Sequence, residues 1–390
     1  MKSTILFFLM LMVVGVASVV SAEVESKIET GFMNEVGGVK ISGDGCFNTS
    51  LGELTASGFF QAFSEQIAGD GDVFQRSGKE VAYSLREFHF AGERVTIGKQ
   101  TFVLDGADWN FADLSPFGYR NVSGSVFHVL DSDETLLGNW GVTVQVAKGL
   151  QLVAFQAEPS ILPLDQNNPY SFTTPSGFEF GDVESNVGWS LGAQGVNNFS
   201  DVLVKYAIQH GAGNSPIDAD VKLSSMTIHP LIVKQTAASL SFEMDWLGWT
   251  YRIGGVQIWP ENYAGFIVIG GEAERFWENL IWNGDNFFLA IGHFDVLDQE
   301  GSGDVNLDFR RAVYAGGTAM LRIEYSPSEN WVLKLTGASN PNGYYISPQL
   351  TYLFDQCQID LGYDHFEGDD GVWEQYSHLN TVTLRFSVEF

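Results

Sequence analysis

From Thr381 to Phe390 the chain alternates strictly. Val382, Leu384, Phe386, Val388 and Phe390 share one face; Thr381, Thr383, Arg385, Ser387 and Glu389 share the other. A period of two is a β-strand with unlike faces. The same pattern recurs far upstream. Trp331, Leu333 and Leu335 alternate with Val332, Lys334 and Thr336, and Ala319, Leu321, Ile323 and Tyr325 with Thr318, Met320, Arg322 and Glu324. It returns at Cys357–Asp364, Ala238–Trp246, Asp201–Gln209 and Trp140–Ala147. Such a chain must bury one face of many strands or present it to lipid.

The first residues bear on which. Lys2 precedes an apolar run from Ile5 to Val16, and Val20 and Ala22 supply small residues before a cut after Ala22. This reads as a signal peptide over 1–22, leaving 23–390 as one domain. An uncleaved anchor is the alternative, but the run is short for a span. No later segment offers ~18 consecutive apolar residues, so helical spans are not expected. No Pro-, Ser- or Gln-rich linker divides the rest, and 43 Gly with 14% aromatic residues favour one large all-β unit.

A soluble β-sandwich also alternates, with one packed and one wet face. Two features favour a transmembrane antiparallel up-and-down barrel. Aromatics recur at strand ends (Trp140, Trp189, Trp246, Tyr325, Trp331, Tyr363), as in an interfacial girdle. Tight turns such as Lys148-Gly149 also alternate with longer polar stretches such as Glu158–Val187 and Phe366–His378. Segment counting gives sixteen or eighteen strands, an even number being required. Ile253–Trp282 is the least regular stretch, and one segment there reads as an inserted loop.

The terminal strand ending on Phe390 resembles that of bacterial outer-membrane proteins. There the last aromatic is read by the barrel-insertion machinery. Arg94-Val95-Thr96-Ile97-Gly98-Lys99-Gln100 before an Asp-rich stretch, and Ala338–Gly343 before two late strands, are similar to porin-like and alginate-export-type barrels. The resemblance implies an outer-membrane porin passing small polar solutes or ions, without enzymatic chemistry or cofactor, surrounded by outer-membrane lipid and often a homotrimer. It does not imply alginate. A structural or adhesive barrel with a closed lumen, or a hydrophobic-solute transporter, is the alternative. Width discriminates: sixteen or more strands leave an aqueous channel.

With 20 basic against 48 acidic residues, nucleic acid is excluded as a partner. The bases are placed selectively. Arg86, Arg94, Lys205, Arg252, Arg322, Lys334 and Arg385 fall in the lumen phase of their strands and are the pore-lining candidates. On the lipid face each would cost ~2–4 kcal/mol near the midplane. They either pair with wall carboxylates or face the solute. The stretch Leu104–Asp113 is the candidate for an inward-folding constriction loop, with Asp105, Asp108 and Asp113 facing the bases.

Catalytic and metal chemistry have little footing. No Gly-x-Ser-x-Gly motif occurs and the seven His are scattered. Asp298, Glu300, Asp304, Asn306 and Asp308 loosely resemble a calcium loop but lack its closing glutamate, so no metal site is assigned. Cys46 and Cys357 are expected unpaired, Cys46 at the outer rim and Cys357 on the lipid face beside a tight turn at the opposite end.

Overall fold

The computed structural model describes residues 19–33, 36–63, 81–100, 102, 109–111, 138–156, 179–180, 184–185, 188–213, 218–281, 284–298, 314, 316–369 and 380–389. The strands in chain order are β1 (Val19–Met33), β2 (Val36–Thr49), β3 (Gly52–Phe63), β4 (Val81–Ala91), β5 (Val95–Gln100), β6 (Asn139–Ala147) and β7 (Leu150–Gln156). Next come β8 (Glu179–Phe180), β9 (Glu184–Ser185), β10 (Trp189–Phe199), β11 (Val202–Ala212), β12 (Asp218–Lys222), β13 (Thr227–Ile232) and β14 (Lys234–Trp246). The last eight are β15 (Trp249–Pro260), β16 (Phe266–Glu278), β17 (Asn286–Asp298), β18 (Thr318–Ser328), β19 (Trp331–Asn340), β20 (Gly343–Phe354), β21 (Cys357–Gly368) and β22 (Thr381–Glu389).

Eighteen of these form one sheet. Each strand pairs antiparallel with the next around the wall, and β1 pairs with β22 from Lys27↔Glu389 to Met33↔Thr383. Closure removes both sheet edges, the condition for crossing hydrocarbon with strands. The strands β8, β9, β12 and β13 form a separate four-stranded sheet. No helix among the described residues is long and apolar enough to cross a membrane. The all-β barrel expectation holds, with eighteen strands.

Exposure inverts the rule for water-soluble proteins. On β22, Val382, Leu384 and Phe386 are 51%, 45% and 36% exposed, while Thr381, Thr383 and Ser387 are buried. The apolar phase points outward to a solvent that is not water, and the polar phase points into the lumen. A run of outward aromatics marks one rim. Trp249, Trp277 and Phe287 contact in sequence at 5.7 and 5.6 Å, and Phe287 meets Tyr325 at 6.5 Å. Farther round, Trp331 and Tyr352 lie 4.5 Å apart. Arg275, also outward, sets its guanidinium 4.9 Å from the Trp277 ring centre and 5.9 Å from that of Trp249. A cation in the outward phase is tolerated at this rim because its charge reaches the interface while its stem covers aromatic surface.

Connections at the aromatic rim are short: 50–51, 92–94, 148–149, 200–201, 247–248, 279–285, 329–330 and 355–356. At 247–248 both Leu247 (φ 53°) and Gly248 (φ 77°) are left-handed, the type I′ pattern whose twist matches two-residue hairpins. The other end carries the long connections 64–80, 101–138, 157–188, 213–233, 299–317 and 369–380, together with the shorter 34–35, 261–265 and 341–342.

Three expectations need correction. The stretch 253–282 contributes two full wall strands, β15 and β16, rather than a strand and an inserted loop. Alternation is blurred there because lumen-phase Val256, Ile258, Phe266 and Val268 are apolar and buried too. Residues 19–49 form two strands joined at 34–35, so Cys46 descends on β2 toward the short-turn rim rather than ending a strand at the outer one. Cys46 and Cys357 therefore lie toward the same end; both are free, Cys46 in the lumen phase and Cys357 in the outward phase. Finally, Arg94 stands in the turn between β4 and β5, exposed, and not within a strand.

Residues 1–18 and Phe390 lie outside the described residues, as does most of the calcium-like stretch after Asp298. The strand β1 begins at Val19, ahead of the expected cut after Ala22.

Candidate functional site: the barrel lumen

The lumen face is built from the alternate residues that the outward face leaves over. On β6, β7 and β10 it is neutral and polar: Gln151 donates to Gln145 at 3.0 Å, and Gln194 to Gln151 at 2.9 Å. On β11, Gln209 donates to Ser190 Oγ at 3.0 Å. These amides pair across the strands, while the buried Oε1 atoms of Gln194 and Gln209 have no partner among the described residues.

Charge concentrates on β11 and β14–β16. Lys205, Glu243, Arg252, Glu272 and Glu274 occupy the lumen phase of neighbouring strands, with Glu243↔Arg252 and Arg252↔Glu272 directly opposed. The buried Arg252 guanidinium donates three ways: Nε to Glu243 Oε2 at 3.0 Å, Nη1 to Glu272 Oε1 at 2.9 Å, and Nη2 to Glu274 Oε1 at 2.8 Å. Lys205 Nζ reaches the same Glu243 oxygen at 3.3 Å. The planar fork of arginine suits three acceptors spread over two strands; a lysine point charge would not span them.

The segment leaving β5 enters this space. Phe102 stacks on the lumen-phase Phe155 of β7 with ring centres 4.6 Å apart. Gly141 of β6 makes room for it, since a Cβ there would lie 2.7 Å from Phe102 Cζ. Farther on, the Asn110 backbone N–H donates to Glu272 Oε1 and Oε2 at 2.9 and 3.0 Å, and its amide Nδ2 to Glu272 Oε1 at 3.1 Å and to Glu274 Oε2. Trp109 meets Phe294 of β17 edge-on at 5.8 Å. Tyr314, from the connection after β17, packs on Phe294 at 5.3 Å and donates its hydroxyl to the Phe111 carbonyl at 3.2 Å. The chain thus touches the wall at β6–β7 and again at β16–β17, with β10, β11, β14 and β15 between. That explains the buried apolar lumen-phase patch of Val268, Ala290 and Phe294, which lies where Trp109, Phe111 and Tyr314 gather.

A second charged sector closes the barrel. Arg385 of β22 donates Nε to Asp360 Oδ2 of β21 at 2.8 Å and lies 3.5 Å from Glu29 of β1. Lys27 and Lys40 stand 3.2 and 3.7 Å from Glu29. Asp360 also accepts from Thr351 and Gln358. Arg322 pairs with Glu324 at 2.7 Å on β18, and Lys334 on β19 faces Glu324 in register.

Of the sequence candidates, Lys205, Arg252, Arg322, Lys334 and Arg385 stand on the lumen side of their strands. Arg86 falls where the β3–β4 ladder steps from Ser57↔Glu87 to Gly58↔Leu85, a bulge. Its side chain lies outside the described residues, as do Asp105, Asp108 and Asp113. Sequence reasoning missed Glu272, Glu274 and Asn110. The two glutamates carried a usable signal, sharing a phase with Gly270 on a stretch that ends in alternation. Asn110 lies in the stretch 104–113, expected to fold inward, but nothing pointed to it over the aspartates there, because its partner lies 162 residues away. Among the described residues no group of three or more His, Cys, Asp or Glu could hold a metal ion.

No protein-family model and no curated protein matches this chain. Solved structures do. It is similar to Acinetobacter baumannii OccAB3 at 9% identity and TM-score 0.53, covering 95% of this chain and 100% of that one. It is similar to Pseudomonas aeruginosa OccK8 (OprE) at 10% identity and TM-score 0.52, covering 95% and 98%. The BenF-like porin of Pseudomonas fluorescens Pf-5 aligns at 11% identity and TM-score 0.52, again over 95% and 98%. At such identities the likeness bears on architecture: this chain folds as a closed eighteen-stranded barrel of the kind those porins have.

Proposed function

We propose that the chain is a bacterial outer-membrane channel through which small polar solutes and ions diffuse passively. The observation carrying this is the pairing of an apolar outward face with a charged, amide-rich lumen in a wall of eighteen strands. At ~4.8 Å spacing and ~40° tilt, eighteen strands give a backbone diameter of about 35 Å, too wide for wall side chains alone to fill. The segment reaching from β5 to β16 narrows that space, and Lys205, Arg252, Arg322, Lys334 and Arg385 line it in this reading. It needs no catalytic group. The likeness to a BenF-like porin agrees with it. Recognition of the terminal strand by the barrel-insertion machinery and a homotrimeric state are proposed with it, from the resemblance of the sequence to outer-membrane porins.

The test is conductance. Refolded full-length protein in a planar bilayer should give discrete ohmic steps in potassium chloride. A correctly folded, heat-modifiable barrel that never conducts would instead establish the closed structural alternative.

A further inference from the structure

Among the described side chains of the barrel strands, one large apolar group in the lumen phase is exposed; the others are buried or half-buried. Phe155, Val256, Ile258, Phe266 and Phe294 are at most 1% exposed, whereas Phe276 of β16 is 54% exposed. Its phase is fixed on both sides. The neighbours Arg275 and Trp277 join the outward aromatic rim, and Glu272 and Glu274 precede Phe276 in the lumen phase. Phe276 therefore presents its ring to lumen space and to no ring partner among the described residues.

Its surroundings combine a ring with a charge. Phe288 of β17 lies directly opposite Phe276, and Glu278 follows on the same face. Alternate residues of a strand are ~6.7 Å apart, so one cation can be within hydrogen-bond reach of Glu278 and within ~6 Å of the Phe276 ring at once. Glu278 is exposed and has no polar partner among the described residues. The wall already shows the chemistry once. The Arg322 guanidinium sits 5.9 Å from the Phe288 ring centre while hydrogen-bonding Glu324 at 2.7 Å. Arg322 occupies Phe288; the face of Phe276 beside Glu278 is left.

We infer that Phe276 and Glu278 form a lumenal station for a small organic cation, an ammonium group held against the Phe276 ring and neutralised by Glu278. The channel reading supplies the route to it; the station itself needs only an accessible lumen. A carboxylate solute gains nothing there, since the described lumen-phase cations on either side, Arg252 of β15 and Arg322 of β18, are already engaged by Glu243, Glu272, Glu274 and Glu324, and Arg275 faces outward onto Trp249 and Trp277.

The probe is choline, against its neutral isostere 3,3-dimethylbutan-1-ol and against benzoate. In a bilayer holding the full-length protein, choline should interrupt the potassium chloride current; the alcohol and benzoate should not. Phe276→Leu, which keeps an apolar side chain but loses the ring, should raise the half-blocking concentration about ten-fold. Glu278→Gln should do likewise. Equal potency on all three proteins, or a block by the alcohol as strong as by choline, overturns the station. If no current flows at all, the channel reading fails and calorimetric titration of the folded protein with choline decides the station separately. Binding heat lost in both variants upholds it, and no heat with wild type ends it.

Discussion

Arg252 is where charge, burial and geometry meet most tightly. Its guanidinium satisfies three carboxylates, one of which, Glu272, also receives the Asn110 backbone. Replacing Arg252 by Met would keep the apolar stem but leave Glu243, Glu272 and Glu274 close together without their shared counter-charge. Breaking a buried pair from one side costs ~3–5 kcal/mol. The folded, fast-migrating band of Arg252→Met should convert to the unfolded band at a clearly lower temperature, and adding Glu272→Gln should restore part of the loss. If the single variant melts with wild type, the cluster is solvated and mechanically idle. The cysteines give a second check at this scale. β1 and β22 stand between β2 and β21, so three strand spacings, ~14 Å, separate Cys46 from Cys357, and a bridge needs less than ~7 Å. The mature protein should keep the mass of two free thiols without reductant; a mass two hydrogens lower would mean that the β22–β1 closure is wrong.

At the level of the strand, the phase decides what a substitution costs. Leu384 faces outward midway along β22 and is 45% exposed, while its neighbour Thr383 is 1% exposed in the lumen. Leu384→Arg puts a cation into hydrocarbon at ~2–4 kcal/mol near the midplane, and should lower the urea midpoint of the vesicle-inserted protein by that much. A midpoint unchanged by Leu384→Arg would mean that this face does not meet lipid. That same period made most of the barrel legible in sequence. Wherever the lumen is wet, as on β18, β19, β21 and β22, polar and apolar residues alternate and the strand is plain. It faded where the lumen is dry. The lumen-phase Phe266 and Val268 are covered near Trp109 and Tyr314, so β16 opens apolar on both faces and reads like no single template. The phase of Arg252 and Arg385 was legible because lipid forbids the alternative. Pairing with Glu243 and Asp360 was legible too; the contact of Arg385 with Glu29 was not, because the closure between β1 and β22 joins residues more than 350 apart, such as Glu29 and Ser387.

Over the whole molecule, 48 acidic residues face 20 basic ones, so the potential in any water-filled lumen depends on where the few cations stand. Arg322, Lys334 and Arg385 share the lumen phase on β18, β19 and β22, one side of the barrel, while the segment carrying Asn110 is pinned to β16. Each cation is set beside an acid: Arg322 beside Glu324, Lys334 opposite it, Arg385 between Asp360 and Glu29. Pairing fixes the side chains but does not cancel their field at short range, because the two charges of a pair differ in their distance from a passing ion. Substituting all three by Gln removes three positive charges and leaves the paired carboxylates in place. Across a potassium chloride gradient, the reversal potential should therefore move toward the potassium equilibrium value relative to wild type. The variant should also melt at a lower temperature, chiefly through the carboxylates that Arg385 leaves behind. A lower melting temperature with an unmoved reversal potential would assign the three residues to the wall alone and place the selectivity-setting constriction elsewhere, at the level of Asn110 and Glu272. A moved reversal potential with unchanged melting would mean the opposite, that the cations face the permeating ion and contribute little to holding the strands together.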